Sequence, residues 1–233
     1  MERLETQQRQ TKHELNALKS HLDQVERRNP SLRFEYKDPS RNFDRRQVIG
    51  VAAKLFRVQD EGFCTGLQSV AGGKIFNVVV ENEQVGKSLM DNGGLQRRTT
   101  FIPLNKISGN RIDPRIVEEA RRVGGRDNVW SPLDLIEYDE YLEPAMCHLF
   151  GQSLLCRDMQ TANKVAYDRN VNRTCYTLDG DRVSPGGEMS GGAPSRGNTI
   201  LAELYSVNQQ EVEFRQKEQL QISRHTGHAQ LGS

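Results

Sequence analysis

No run of about 18 consecutive apolar residues occurs in the 233-residue sequence, so no segment of it reads as a membrane-spanning helix. The opening stretch, MERLETQQRQTKHE, is strongly polar, and no secretory leader is expected there. Cysteine is scarce: four residues, at 64, 147, 156 and 175, with no CxxC and no histidine at metal-ligand spacing. That pattern predicts buried, reduced thiols of an intracellular protein rather than a disulfide framework or a zinc site. Charge of one sign is missing as well. With 32 basic and 31 acidic residues the net charge is +1, so no global field draws the chain to DNA or to a membrane. A phosphate-binding loop is absent: Ala71-Gly72-Gly73-Lys74-Ile75 lacks the first glycine at the required spacing and a Ser or Thr after the lysine. Four of the five histidines (13, 21, 225, 228) lie in the terminal stretches, and His148 reads as a helical, core-facing residue. Asp134, Glu137, Asp139 and Glu140 read as solvated or capping carboxylates. No catalytic residue, metal site, cofactor or small-molecule substrate is expected.

What is present is a globular middle between two polar helices. Residues 1–29 lack glycine and proline, and Leu15, Leu18, Leu22 and Val25 follow at spacings of 3, 4 and 3, a short heptad seam. Asn29-Pro30 ends this helix, because the residue before proline is pushed out of the α region. From Thr199 to Arg224 the pattern returns. Ile200, Leu204, Val207 and Phe214 share a face that Glu211 interrupts, and the tail from His225 to Ser233 reads as frayed. So narrow a stripe needs a partner, and the two arms predict an intramolecular antiparallel coiled coil; two unrelated surface helices are the alternative.

The middle reads as α/β. Strands are predicted at Arg46–Val58, Lys74–Glu81 and Thr99–Leu104, and helices at Phe63–Val70, Asn82–Asn92 and from Asp113-Pro114 to Arg122. Beyond Gly124-Gly125 a second unit is predicted: Val129–Ile136 extended, Glu140–Phe150 helical, Gln152–Cys156 a strand, Asp158–Arg169 a helix, and Arg173–Leu178 extended. The boundaries expected are 1–29 for the first arm, 30–125 and 126–198 for two lobes, and 199–233 for the returning arm.

Two stretches stand out. Asp179–Gly192, DGDRVSPGGEMSGG, reads as strand, turn, strand: Pro185 presets φ, and paired glycines let another backbone approach. An ordinary hairpin with a flexible exit is the alternative. The segment from Arg97 to Arg126 is rich in arginine, as phosphate binding requires, although interspersed Asp113, Glu118, Glu119 and Asp127 equally suit a salt-bridged surface.

Arm, two-lobed α/β insert, glycine stretch and returning arm together resemble the hinge domain of SMC (structural maintenance of chromosomes) proteins over nearly the whole chain. FEYKDPSRNFDRRQVIGVAAKLFRV (34–58) is similar to the start of the family hinge. VAGGKIFNVVVENEQVGKSLM (70–90) with TTFIPLNKI (99–107) is similar to its first lobe, and GDRVSPGGEMSGG (180–192) to its closing segment. FxYKDP and NVVV most resemble the condensin core subunit of the second class, with cohesin subunits the alternative.

The resemblance implies a non-enzymatic dimerisation hinge with short arm stubs, since the family's ATPase heads lie at the far ends of the arms. It implies a heterodimer with the hinge of a second SMC subunit, through an interface at Gly186, Gly187, Gly191 and Gly192. It further implies modest contact with DNA, preferentially single-stranded, at Lys54, Arg57, Arg97, Arg98, Lys106 and Arg111. A role in chromosome condensation and segregation is expected, in the nucleus and on chromosomes and also in the cytoplasm. A module whose chief task is DNA binding is the other reading.

Overall fold

The structure is a computed structural model that describes the backbone of residues 2–192 and 199–229 and the side chains of 9–192 and 199–216. The chain divides into two compact units, residues 1–30 with 203–233, and residues 31–202. The chain begins with α1 (Glu2–Arg28). The described residues of 31–202 form a mixed α/β unit with three sheets.

The first sheet contains β1 (Val48–Val51), β3 (Val78–Val80) and β4 (Phe101–Pro103), in the order β1-β3-β4; β2 (Phe56–Val58) belongs to another sheet. The sequence predicts one strand over Arg46–Val58, and the structure breaks it. A bulge between Val48 and Gly50, with Gly50 at φ +140°, bends β1 away, and a 3-10 turn at Ala52–Lys54 separates it from β2. Helix α2 (Cys64–Ala71) follows. The strand predicted from Lys74 shrinks to β3 because Gly72–Phe76 coils into 3-10 turns. All three valines of β3 are buried, as a continuous β-branched run in a central strand should be. Helix α3 (Glu83–Asn92) carries the chain to β4, which pairs in parallel with β3. Asn82 starts α3 by accepting hydrogen bonds from the Gln84 and Val85 amides, at 3.1 and 3.0 Å.

Helix α4 (Pro114–Gly124) is opened by Asp113, with Pro114 at its first turn. The second sheet has β5 (Val129–Trp130), β7 (Leu154–Cys156), β8 (Cys175–Thr177), β9 (Arg182–Val183) and β10 (Met189–Ser190), in the order β10-β9-β8-β7-β5. The extended run predicted at Val129–Ile136 is also broken. Pro132–Leu135 forms a 3-10 turn, after which β6 (Ile136–Tyr138) leaves to pair with β2 in a sheet of its own. Helix α5 (Glu143–Phe150) precedes β7, and α6 (Met159–Ala166) connects β7 to its parallel neighbour β8. Helix α6 stops short of the predicted Arg169 because Asp168 folds back, accepting from the Asn170 amide at 2.8 Å.

The β2–β6 ladder and the edge-on contact of Phe56 with Phe150, centroids 5.2 Å apart, join the first half of this unit to the second. Helix α2 goes further, lying against β7 and β8 of the second sheet. A methyl group at Gly66 would fall 2.5 Å from Leu155 Cδ1 and 2.8 Å from the Thr177 carbonyl.

The last helix, α7 (Ile200–Ala229), runs beyond the point where the sequence predicts fraying; residues 230–233 lie outside the described residues. Within the arm unit α1 and α7 are antiparallel. His21 Nδ1 is 2.9 Å from Gln210 Oε1, and Asn29 Nδ2 donates to Glu203 Oε2 at 3.2 Å, so numbering falls on one helix as it rises on the other. Val25, Leu204 and Val207 are buried and Leu18 and Leu22 half-buried. Leu15 is 38% exposed: Thr11 and Glu14 take the inner positions of that turn.

Candidate functional site

The glycine stretch folds as a hairpin at the edge of the second sheet. The Ser184 amide donates to the Glu188 carbonyl at 2.8 Å and the Gly187 amide to the Ser184 carbonyl at 3.0 Å, which closes the turn between β9 and β10. Three of its glycines have a local task. Gly187 and Gly192 sit at φ +96° and +107°, conformations that L side chains rarely adopt. Gly191 gives room to Asp181, whose Oδ1 would lie 2.1 Å from any Cβ there and accepts from the Gly192 amide at 3.3 Å. Gly186 has open space: a methyl group there would meet nothing nearer than Ser184 Oγ, at 3.7 Å.

Residues 186–192 are all exposed, including Met189 at 59%. Among the described residues, strand β10 has β9 on one side and no strand on the other. Met189 faces Val183 and Ser184 bonds Glu188, so by antiparallel alternation the N–H and C=O of Met189 point away from β9. They are an open template for another strand.

The first sheet has an open edge at β4. The Thr100 carbonyl accepts from Val78 and the Leu104 amide donates to Val80, both at 2.9 Å, so positions 100, 102 and 104 face β3. Positions 101 and 103 therefore turn their backbone polar groups outward. Pro103 has no N–H to offer, as befits an edge. Alongside runs a groove of ≈ 740 Å³ between α3 and β4, whose wall includes Lys87, Met90, Leu95, Arg97, Arg98 and Phe101. Met90 is 58% exposed in it. Phe101 is braced from behind by the extended segment after Pro30. Phe34 meets it edge-on at 5.6 Å and stacks on Tyr36 at 5.1 Å, and the Lys37 amide donates to the Gly93 carbonyl at 2.8 Å.

The six cations singled out in the sequence have different fates. Arg97 and Arg98 line the groove together, and Arg97 Nη2 donates to the Arg33 carbonyl. Lys54 is exposed in the turn after β1, and Arg57 is half-buried on β2 opposite Glu137. Lys106 lies 3.8 Å from Glu83. Arg111 is engaged at the surface, with Nε 2.6 Å from Glu143 Oε1 and Nη2 2.8 Å from the Tyr138 hydroxyl. Tyr138 in turn donates to Glu143 Oε2 at 2.5 Å. The Arg111 guanidinium holds the Glu143 carboxyl down at about 2, despite partial burial, and burial with the Glu143 charge pushes the Tyr138 phenol up. On α4, Arg121 is salt-bridged to Glu118 and Arg122 to Glu119, and Arg126, just past the helix, also reaches Glu118. Sequence spacing could not reveal the Arg111–Glu143 pair, which closes 32 residues of chain.

All four cysteines are free and buried, and burial pushes the Cys64 thiol up to about 12. Among the described residues no group of three or more His, Cys, Asp or Glu could hold a metal ion. None of their helices is long and apolar enough to cross a membrane.

The family model described as the SMC proteins flexible hinge domain matches residues 45–166. Structural maintenance of chromosomes protein 2 of Homo sapiens is 41% identical over 216 residues, which is 93% of this chain and 18% of that protein. Structural maintenance of chromosomes protein 2-1 of Arabidopsis thaliana is 40% identical over 184 residues, 79% of this chain and 16% of that protein. The chain thus spans less than a fifth of these curated relatives. Among solved structures, the asymmetric dimer of the Geobacillus stearothermophilus SMC hinge domain aligns with TM-score 0.66 at 24% identity, over 96% of this chain and 91% of that one. The Pyrococcus furiosus Smc hinge domain with an extended coiled coil aligns with TM-score 0.53 at 22% identity, over 98% and 84%. Both likenesses concern the fold.

Proposed function

Because the chain belongs to the SMC hinge family, we propose that it is the dimerisation hinge of a condensin-type SMC subunit and pairs with the hinge of a different SMC subunit. The observation that carries this reading is the presence of two unlike open edges on one compact unit. Strand β10 offers a bare backbone and a protruding Met189; β4 offers a bare backbone beside an apolar-floored groove. In this reading each hinge lends its β10 to the partner's β4 edge, so two contacts form per pair by strand addition. The exposed glycines 186, 187, 191 and 192 keep that approach free of side chains. The arms α1 and α7 then extend from the pair, joining the two subunits in chromosome condensation and segregation in the nucleus.

Sedimentation velocity of this chain, alone and mixed with the hinge of a second condensin SMC subunit, tests the reading. A one-to-one complex is expected. A chain that pairs only with itself moves the assignment to a self-pairing SMC, and a monomer in both samples removes the pairing role.

A second reading, modest binding of single-stranded DNA, is favoured by the adjacency of Arg97 and Arg98 in the groove wall. It predicts salt-dependent binding that falls when both become Glu.

A further inference from the structure

The sequence holds five methionines, at 1, 90, 146, 159 and 189. Those whose side chains the structure describes fall into two classes. Met146 is fully buried and Met159 packs half-buried against the core of the second sheet, whereas Met90 and Met189 are each more than half exposed. A methionine left in water forgoes the stabilisation that burial would give. These two lie on the two open edges described above, one on each.

Local geometry holds both there. Met189 pairs with Val183, so their side chains share one face of the second sheet. Val183 is fully buried in the core on that face; Met189 stands one strand farther out and is uncovered. Met90 is one turn beyond Gly86 on α3, and Gly86 comes so near β4 that a methyl group on it would fall 3.4 Å from Phe101 Cβ. Met90 and Phe101 therefore share the groove wall. Phe101 is the residue of β4 that turns both its N–H and its C=O outward, since Pro103 has no N–H.

A thioether differs from other apolar side chains in that a mild oxidant makes it polar. Its sulfur attacks one oxygen of a peroxide, the O–O bond breaks, and two electrons pass from sulfur to oxygen. The displaced hydroxide takes the proton from the new S–OH group and leaves as water, so a sulfoxide remains. Closing either edge over that oxygen would strip it of water, at a cost that opposes pairing.

We propose that Met90 and Met189 are oxidation sites for a peroxide-class oxidant, and that their conversion to sulfoxides loosens the hinge pair, one methionine acting at each contact. The switch rests on the pairing reading above. Pairing and oxidation oppose each other: a paired hinge hides both sulfurs, and an oxidised hinge pairs less well. The modification is reversible, because methionine sulfoxide reductases restore the thioether.

The test begins with the free full chain in dilute hydrogen peroxide, sampled over time and read by peptide mass spectrometry. Met90 and Met189 are expected to gain one oxygen each well before Met146 does, and an excess of the second hinge should slow both. A rate at either position no higher than that of Met146 overturns its assignment.

Sedimentation equilibrium with the second hinge, after the peroxide is removed, reads the switch. A Kd raised about tenfold or more by oxidation, and returned by the reductases, is expected. The double variant Met90→Leu with Met189→Leu keeps the four cysteines and the other methionines, so its Kd should not respond to peroxide. A Kd that oxidation leaves unchanged, or that rises equally in the double variant, overturns the switch. If the unoxidised chain does not associate at all, the pairing reading fails and the switch with it, while the peroxide time course still decides the two sites.

Discussion

The two large sheets of residues 31–202 share one building unit. In the first, β3, α3 and β4 make a parallel pair with its connecting helix; in the second, β7, α6 and β8 do the same. Even the helix starts agree. Asn82 (φ −149°, ψ 171°) and Asp158 (φ −148°, ψ 172°) cap α3 and α6 with side-chain oxygens. The sheets diverge after the second strand of each unit. Beyond β8 the chain adds the β9–β10 hairpin and ends in an exposed edge; beyond β4 nothing is added, and a groove remains. The same unit thus carries an added hairpin in one place and a bare edge beside a groove in the other.

The most forceful way to break this comparison is to damage the two cores separately. Leu89 on α3 and Leu155 on β7 are both fully buried. Truncation of either to Ala is expected to cost about 2–5 kcal/mol in urea unfolding. Both variants should unfold in one transition, because residues 31–202 form one compact unit. Separate transitions would show that the two sheets are independent.

The next test concerns the protruding edge. Met189→Pro removes an outward N–H while sparing the bonds to β9, and should weaken hinge association about tenfold or more by sedimentation equilibrium. An unchanged affinity would mean that β10 is not the strand that docks. Within the hairpin, Gly187→Ala should lower stability by about 1–2 kcal/mol, since its φ is +96°. Gly186→Ala, in open space, should change it little.

On the receiving side, Arg98→Gln should reduce the slope of log affinity for single-stranded DNA against log salt by about 0.7, the share of one phosphate contact. An identical slope would take Arg98 out of the DNA reading. The smallest effect is expected at Glu143. Its folded value, about 2, lies below the ordinary 4.5, so its contribution to stability is present above pH 4.5 and is lost as pH falls toward 2. Glu143→Gln should flatten the acid limb of a stability–pH curve, and only modestly, because both partners are more than a third exposed to screening water.

Much of this fold was legible locally. Asn82, Asp113 and Asp158 announce their helices because a cap works within three residues. The hairpin at 182–190 was legible because proline and glycine act on their own φ. What stayed hidden depends on distant partners. Nothing near Arg46–Val58 says that its two ends join different sheets. Nothing near Arg111 says that its charge is spent on Glu143 rather than on a ligand. The exposed hairpin at β10 had a sequence signal in its glycines, whereas the groove beside β4 had none, since Lys87, Met90, Leu95 and Phe101 share no spacing rule.

Helix α2 carries a consequence for anyone who cuts the chain. Gly124-Gly125 looks like a natural place to divide it, but the front piece would leave with the helix that covers Leu155 and Thr177 of the rear piece. It would also take β2, the strand that pairs with β6. Neither fragment expressed by itself would be complete, and each would expose what the other was covering. Mixed together, they should reassociate, and a single protease nick in that loop should leave the hinge standing.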